Sequence, residues 1–464
     1  LKYGAEEDMS RQSPKEQYKK VILFLFSLLI IFVETAVFWI AWIGYYNERI
    51  ARDYVFLGHI VIIFVYVFLI IVLSNVYGAF KIGYLRTTDV IFSQMLSIVL
   101  VNIITYLQIM MLSLGWVNPW PLLVATLVDF LWIIVWVLLT KQAYAKLYPP
   151  AKLLLVYGDR DPDGLVNKMN RRRDRYNICG TIHINAGLNL ITKEIEQGNY
   201  GSVLMCDIPG DIRNDILKYC FKKSVRTYIT PKLSDVILGG GDNMHVFDTP
   251  LILCRNHGLS FEQRVLKRII DISLSLIGLI IFSPFFLIIA LCIKLYDGGP
   301  VFYKQSRLTI DGKVFDIMKF RSMRMDSEKE GARLAMKDDD RVTPIGKILR
   351  NIHVDELPQL VNILKGDMSW VGPRPERPEI AQQYSKYIPE FDFRLKVKAG
   401  LTGYAQIYGK YNTTPYDKLK LDLYYIENGN IVMDIRLLLM TVKILFQKEN
   451  TEGVEKNQKI AGDK

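Results

Sequence analysis

Cysteine and histidine are scarce in this 464-residue chain, with five of each. Cys179, Cys206, Cys220, Cys254 and Cys292 form no CxxC pair, and no His stands at zinc-ligand spacing from them. That excludes a zinc framework of the usual kind and predicts buried thiols in a reducing compartment rather than a disulfide scaffold. A GxGxxG fingerprint is missing too. The turn VYGDRDPDG, from Val156, lacks the glycines that let a backbone approach a pyrophosphate. No inverted repeat of broken hydrophobic segments is present, which counts against a secondary transporter. Acidic residues are in deficit: 47 Asp and Glu face 58 Lys and Arg, a net charge of +11 with a pI near 9.1. That sign suits nucleic acid, acidic lipid or a phosphorylated substrate, and charge alone does not choose among them.

Hydrophobic residues, in contrast, make up half of the chain, and the mean hydropathy is +0.16. Four apolar runs, at 21–44, 54–78, 89–113 and 121–140, are each near the ~20 residues that cross a bilayer as a helix. Arg11, Lys15, Lys19 and Lys20 precede the first, Lys81 and Arg86 lie between the second and third, and Lys141 and Lys146 follow the fourth. The loop at 114–120 has no Lys or Arg, and at 45–53 Arg49 and Arg52 are balanced by Glu48 and Asp53. The positive-inside rule then puts both ends of the bundle in the cytoplasm. The first run is too long for a signal peptide and is followed by further spans, and because the chain starts at Leu1, residues ahead of it are allowed for. Glu34, Asn102 and Asp129 fall at similar depth within the spans, and are expected to form a buried hydrogen-bonded layer joining helices or protomers.

From 151 to 258 the character changes: KLLLVYGD, SVLMCD and VRTYIT read as strands and DIRNDILKYCFKK as a helix, which predicts a small α/β domain with a parallel sheet. The apolar stretch 269–296 follows, about 42 Å long as a straight helix, with Ser283-Pro284 at its middle. Hydropathy alone favours a kinked fifth span. A fifth crossing would export everything after 297, where only the charged run 431–447 (Asp434, Arg436, Lys443) remains to return it. Both flanks are also basic, with Arg264, Lys267 and Arg268 before and Lys304 and Arg307 after. A helix that enters, breaks at Pro284 and returns to the same face satisfies all of this, with Ser283 as the candidate partner for a carbonyl freed by the proline.

The chemistry concentrates in 298–450. GGPVFYKQSR and GKVFDIMKFRSM read as strands joined by a glycine turn, the second carrying Lys319 and Arg321. VGPRPERPE offers Arg374 and Arg377 in a Pro-stiffened loop, and KAGLTGYAQIYGK ends in Lys410. HVDELPQL sets Asp355 and Glu356 side by side, five residues after Arg350, in a segment around 345–365 that reads as one amphipathic helix. Asp-Glu-Leu-Pro is also an ordinary helix start. Read together, a basic set converging on two carboxylates suits a phosphate ester with a metal: cations hold phosphates, and carboxylates hold Mg²⁺ or attack.

These motifs carry a resemblance. Lys-Arg-x-x-Asp (267–271), Ser-Pro (283–284), GPVFYKQSR, KFRSM, DELPQL through VGPRPE, and GLTGYAQI with its GK resemble the bacterial sugar transferases, the monotopic polyprenyl-phosphate phosphoglycosyl transferases. The dense likeness runs from about 264 to 450, and the whole chain resembles the long form, with four added spans and a nucleotide-binding-like domain. The resemblance implies a re-entrant helix, Asp355 as nucleophile, Glu356 as magnesium ligand, and Lys319, Arg350 and Arg374 on phosphate. Two positions depart from the family pattern: Lys410 replaces the usual Arg, a point charge for a bidentate fork, and Gly429 stands where Trp is usual.

The expected architecture is a membrane α plus α/β protein. It comprises a four-helix transmembrane bundle (1–150), a Rossmann-like domain (151–260), a transferase domain (261–450) anchored by re-entrant and amphipathic surface helices, and a tail (451–464). The expected reaction moves a sugar 1-phosphate from a UDP-sugar to undecaprenyl or another polyprenyl phosphate and releases UMP. It proceeds through an aspartyl-phosphosugar, with Mg²⁺ or Mn²⁺, as the first membrane step of exopolysaccharide, capsule or O-antigen synthesis. Glucose or galactose is favoured as the sugar, an N-acetylated sugar is the alternative, and a non-catalytic scaffold is the competing class. A homodimer on the cytoplasmic face of the bacterial plasma membrane, in contact with lipid and without nucleic acid, completes the expectation.

Overall fold

The computed structural model describes residues 17–51, 56–158, 162–254, 259–324, 341–410 and 413–445. Arg11, Lys15, Arg52, Asp53 and the tail 451–464 lie outside the described residues. Internal contacts divide the chain between Pro231 and Lys232 into two units.

The first unit opens with four long apolar helices: α1 (Lys19–Ala41), α2 (Phe56–Tyr77), α3 (Thr87–Ser113) and α4 (Trp120–Leu147). Their outward faces display Phe24, Phe32, Ile40, Phe64, Phe68 and Leu131, all exposed, while polar groups are buried inside. This inversion suits an apolar solvent, and five helices among the described residues, these four and one in the second unit, are long and apolar enough to cross a membrane. The chain is a membrane-associated protein. Helix α1 buries Ile30, Glu34 and Phe38, four residues apart and therefore on one face. The Gln94 amide donates to Glu34 Oε1 at 2.9 Å, Tyr66 donates to Asn102 Oδ1 at 3.0 Å, and Asn102 donates to Thr126 Oγ1 at 2.8 Å. Glu34 and Asn102 thus tie helices together as expected. Asp129 is equally buried, with neither carboxyl oxygen hydrogen-bonded within the described residues.

The α/β part follows as β1 (Lys152–Tyr157), α5 (Asp163–Asn170), β2 (Asn177–His183), α6 (Leu188–Gln197), β3 (Ser202–Cys206), α7 (Gly210–Lys222) and β4 (Arg226–Ile229). The four strands are parallel in the order β2-β1-β3-β4. Central β1 is buried from Leu153 to Val156, which is why LLLV reads as a continuous apolar run and not an alternating one. Alternate residues feed two cores: Leu154, Val156, Val203 and Met205 with Ile191, Ile195 and Ile216 on one face, Leu153, Leu155 and Leu204 with Met169 on the other.

One expectation fails here. Of the five free cysteines only Cys220 is buried, and burial raises its thiol to about 11. Cys179, Cys254 and Cys292 are exposed, because they fall on an edge strand, just after a hairpin strand and on an uncovered helix face.

The second unit begins with α8 (Leu233–Gly239) and the hairpin β5 (Asp242–Val246)–β6 (Thr249–Leu253). The 37-residue helix α9 (Phe261–Asp297) comes next, started by a Ser260/Gln263 capping box and ended by Gly298 at φ +71°. Ser283 Oγ donates to Ile280 O at 2.8 Å, the carbonyl four residues before Pro284 that the proline leaves without an N–H donor. Strands β7 (Phe302–Leu308) and β8 (Val314–Phe320) form the expected antiparallel pair. Then come α10 (Pro344–Asn351), α11 (Gln359–Lys365), β9 (Ser369–Val371), α12 (Pro378–Ser385), a 3₁₀ stretch Pro389–Lys396, β10 (Gly400–Thr402), α13 (Tyr404–Tyr408), α14 (Pro415–Asn428) and α15 (Ile431–Leu445).

A polar stripe on α9 docks it to the rest of the unit. Lys267, Asp271 and Ser275 are spaced by four and share a face. Lys267 Nζ meets Asp434 at 2.5 Å, Val371 O at 3.0 Å and Tyr425 OH at 3.2 Å. Asp271 accepts from Ser369 Oγ and the Trp370 N–H, each at 3.0 Å, and the Trp370 indole donates to Ser275 at 2.9 Å. Arg268 caps α11 by donating to Ile363 O and Leu364 O at 2.6 and 2.7 Å. Phe282, Phe285, Leu287 and Leu291 on the same helix remain exposed.

The single amphipathic helix expected around 345–365 is in fact two helices. His353 adopts φ +56°, which no α-helix continues, and a 3₁₀ turn Val354–Glu356 separates α10 from α11. Pro358 is the N-cap of α11.

Candidate active site

Four short elements bring the charged residues together. Strand β8 ends in Lys319 and Phe320, α10 carries Arg350, the 3₁₀ turn carries Asp355 and Glu356, and the loop after β9 carries Arg374. Packing fixes their relative positions. Phe320 and Leu349 are buried with Ile293 in one cluster, with Val354 against it. Asn362 of α11 accepts from the Met318 N–H at 3.0 Å and donates to Asp316 O at 2.8 Å, sewing the helix after the carboxylates to the strand before Lys319.

Glu356 Oε1 accepts from Lys319 Nζ at 2.5 Å and from Arg374 Nη2 at 3.1 Å. Burial pushes the Glu356 carboxyl up, but Lys319 and Arg374 more than reverse this and hold it well below the usual carboxylate range. Asp355, next in the chain and 8% exposed, is shifted the other way. Burial raises it, Lys319 opposes, and the Glu356 charge raises it further, with Arg350 and His353 opposing. Two adjacent carboxyls are therefore driven apart. Glu356 is held as an anion, and Asp355 is the more readily protonated of the two.

Residue placements separate the charged set. Arg350 Nε donates to Ser322 Oγ at 2.8 Å and its charge acts on Asp355. Arg321 belongs to another partnership: it is buried and ion-paired with Asp297 at the end of α9, tying the strand exit to the helix end. Arg377 is the N-cap residue of α12, and Lys410 is exposed after α13, its N–H donating to Thr413 Oγ1 at 2.7 Å. The two carboxylates stand in a 3₁₀ turn that follows the left-handed His353.

Buried residues that the sequence does not flag complete the site. The loop 372–377 contains two prolines and so has few donors of its own. Its carbonyls are held from outside: Pro373 O by the Gly400 N–H at 2.9 Å, Arg374 O by Arg394 Nη2 at 2.9 Å, Pro375 O by Arg307 Nη1 at 3.1 Å, and Glu376 O by the Leu308 N–H at 3.0 Å. Gly372 and Gly400 must be glycines here, because a Cβ on Gly400 would lie 2.1 Å from Gly372 N. Arg394 is hidden between Phe393 and Leu395 in sequence, with no spacing that announces it.

No group of three or more His, Cys, Asp or Glu converges among the described residues. The donor set still suits a hard divalent cation. Mg²⁺ commonly takes one or two carboxylates and completes its shell with water and substrate phosphates, and the two bonds to Glu356 described above both fall on Oε1.

Residues 262–448 match the family described as bacterial sugar transferase. Over 187 residues the chain is 43% identical to the exopolysaccharide production protein PSS of Rhizobium leguminosarum bv. phaseoli, covering 94% of that protein and 38% of this one. The chain belongs to the bacterial sugar transferase family. It is 33% identical over 264 residues to the UDP-N-acetylgalactosamine-undecaprenyl-phosphate N-acetylgalactosaminephosphotransferase of Aeromonas hydrophila, covering 54% of this chain and 62% of that one. With the UDP-glucose:undecaprenyl-phosphate glucose-1-phosphate transferase of Escherichia coli (strain K12) it shares 40% identity over 202 residues, 42% of each chain. The match thus spans less than two thirds of these two longer relatives.

Proposed function

We propose that this protein transfers a sugar 1-phosphate from a UDP-sugar to undecaprenyl or another polyprenyl phosphate and releases UMP. The observation that carries the reading is the opposite electrostatic treatment of Asp355 and Glu356, in a unit whose α9 displays an uncovered apolar face. The Asp355 carboxylate attacks the sugar-proximal phosphorus, the bond to the UMP oxygen breaks, and an aspartyl-phosphosugar forms. A polyprenyl phosphate oxygen then attacks the same phosphorus, the acyl-phosphate bond breaks, and the carboxylate is restored. One hard displacement becomes two easier ones. Lys319, Arg350 and Arg374 orient the phosphates and balance their charge. Bound Mg²⁺, or Mn²⁺, held by Glu356 and the diphosphate would neutralise the phosphate oxygens. Glucose or galactose is our first choice of sugar, and the relatives' names keep an N-acetylated sugar open. Purified protein offered a panel of UDP-sugars with polyprenyl phosphate and Mg²⁺ should release UMP from one of them and stop in excess EDTA. A folded protein that releases none from any UDP-sugar would rule the reading out.

The membrane arrangement belongs to the same proposal: α1 to α4 span the bacterial plasma membrane, α9 enters and returns at Pro284, and the site works on the cytoplasmic face of a homodimer. A chain freed of its five cysteines and given Cys at Pro300 or Lys459 should resist an impermeant thiol reagent in intact cells. Both sites should react after permeabilisation. Labelling of Pro300→Cys from outside would show a fifth crossing.

A further inference from the structure

The loop that presents Arg374 is held largely by groups the proposed chemistry never touches. Arg394 is 6% exposed and lies in the 3₁₀ stretch Pro389–Lys396. Its guanidinium faces three oxygens on two elements. Nη2 donates to Arg374 O at 2.9 Å and meets Asp422 of α14 at 2.8 Å, while Nη1 lies 3.7 Å from Glu376. The Phe391 ring sits 5.1 Å beneath it. Asp422 is 1% exposed, so this anchor is fixed in the core and not a solvated pair.

We propose that Arg394 is a positioning residue for the transferase site: its guanidinium, anchored by Asp422, fixes the main chain at Arg374 so that the Arg374 side chain reaches Glu356 and the substrate diphosphate. This rests on the transferase reading above. Arg394 bonds the carbonyl of the residue whose side chain lies 3.1 Å from Glu356. A shift of the loop backbone therefore transfers directly to that contact. Pro373 and Pro375 remove the donors that would let the loop hold itself, which makes the external clamp necessary. Both elements are bridged by the single Nη2, whose place is set by the planar guanidinium over the Phe391 ring, and a lysine ammonium on a flexible stem is not held there in the same way.

A double-mutant cycle separates positioning from bulk stability. Arg394→Lys keeps the charge beside Asp422, and at pH 8 Asp422 is ionised, since burial raises it only to about 6 against Arg394. We expect thermal stability close to wild type and a fall of about 100-fold in kcat/KM for the UDP-sugar, the size of effect a misplaced binding group produces. In an Arg374→Ala background the same substitution should change kcat/KM less than about twofold, because the group it positions is gone. Independent, multiplying effects of the two changes, or wild-type kinetics for Arg394→Lys, would overturn the proposal. Should Arg394→Lys fail to fold, Asp422→Asn loosens the same anchor and must show the same dependence on Arg374. UDP affinity by calorimetry provides a second readout that needs no turnover. If wild type turns over no UDP-sugar, the function reading fails, and the cycle is judged on whether Arg394→Lys weakens UDP binding only when Arg374 is present.

Discussion

Asp355→Asn should abolish the exchange of labelled UMP into UDP-sugar in the absence of lipid, by at least about a thousandfold, and turnover with it. The amide keeps the shape of the carboxyl and loses the oxyanion proposed to attack. Exchange without acceptor is the signature of a covalent intermediate, because the first displacement must run backwards on its own. A direct attack by the lipid phosphate would show no exchange in wild type, with Asp355 acting only as a base. The two neighbours should also part in stability. Asp355 is raised in the folded state, so its contribution is full at low pH and is lost as pH rises through its folded value. Asp355→Asn should therefore melt no lower than wild type at pH 8, and the difference should grow in its favour on going up from pH 4. Glu356 is lowered, so its contribution is present at neutral pH and is lost as pH falls through its folded value. Glu356→Gln should melt lower than wild type at pH 8, since Lys319 and Arg374 lose the anion between them. Some exchange in Glu356→Gln should return at high Mg²⁺, because the proposed nucleophile remains. Opposite stability effects from adjacent acids, with exchange lost wholly only at Asp355, would be hard to obtain from two ordinary surface carboxylates.

The second large effect is expected at Lys267. Its ammonium is nearly enclosed by Asp434, Tyr425 and the Val371 carbonyl, and it joins α9 to β9, α14 and α15. Lys267→Met leaves Asp434 buried without its cation, a change that costs about 3–5 kcal/mol when such a pair is broken from one side. Against a total stability of about 5–15 kcal/mol, this is a large share. The melting temperature in nanodiscs should fall steeply, and residual activity should fall with it as α9 loosens from the strand leading to the Arg374 loop. Lys267→Met with Asp434→Leu should recover most of the loss, because neither charge is then stranded. Single and double variants melting alike would show that the pair does not hold the helix.

The membrane class, the four apolar helices, the parallel α/β segment and the β7–β8 pair are all written in one-dimensional patterns: run length, strand-helix alternation and a Gly turn. The Asp355-Glu356 pair and its companions Lys319, Arg350 and Arg374 are legible because they sit in stiff, punctuated motifs. Other features depend on which groups meet in three dimensions. Arg321 reads in sequence like its neighbour Lys319, yet two residues along the chain separate a carboxylate partner at the site from Asp297 at the end of α9. The cysteines look alike in composition, and burial sorts them only once strand edges and helix faces are assigned. A left-handed His353 splits what periodicity presents as one helix, because a single φ angle outweighs an apolar repeat. Arg394 and Asp422 lie 28 positions apart in unremarkable segments, and they acquire their role only where Pro389–Lys396 and α14 bring a guanidinium and a carboxylate under the Arg374 loop. Sequence patterns specify which face of an element is apolar. Which buried charge finds which partner is decided by packing, because an unpaired charge in the interior is too costly to leave.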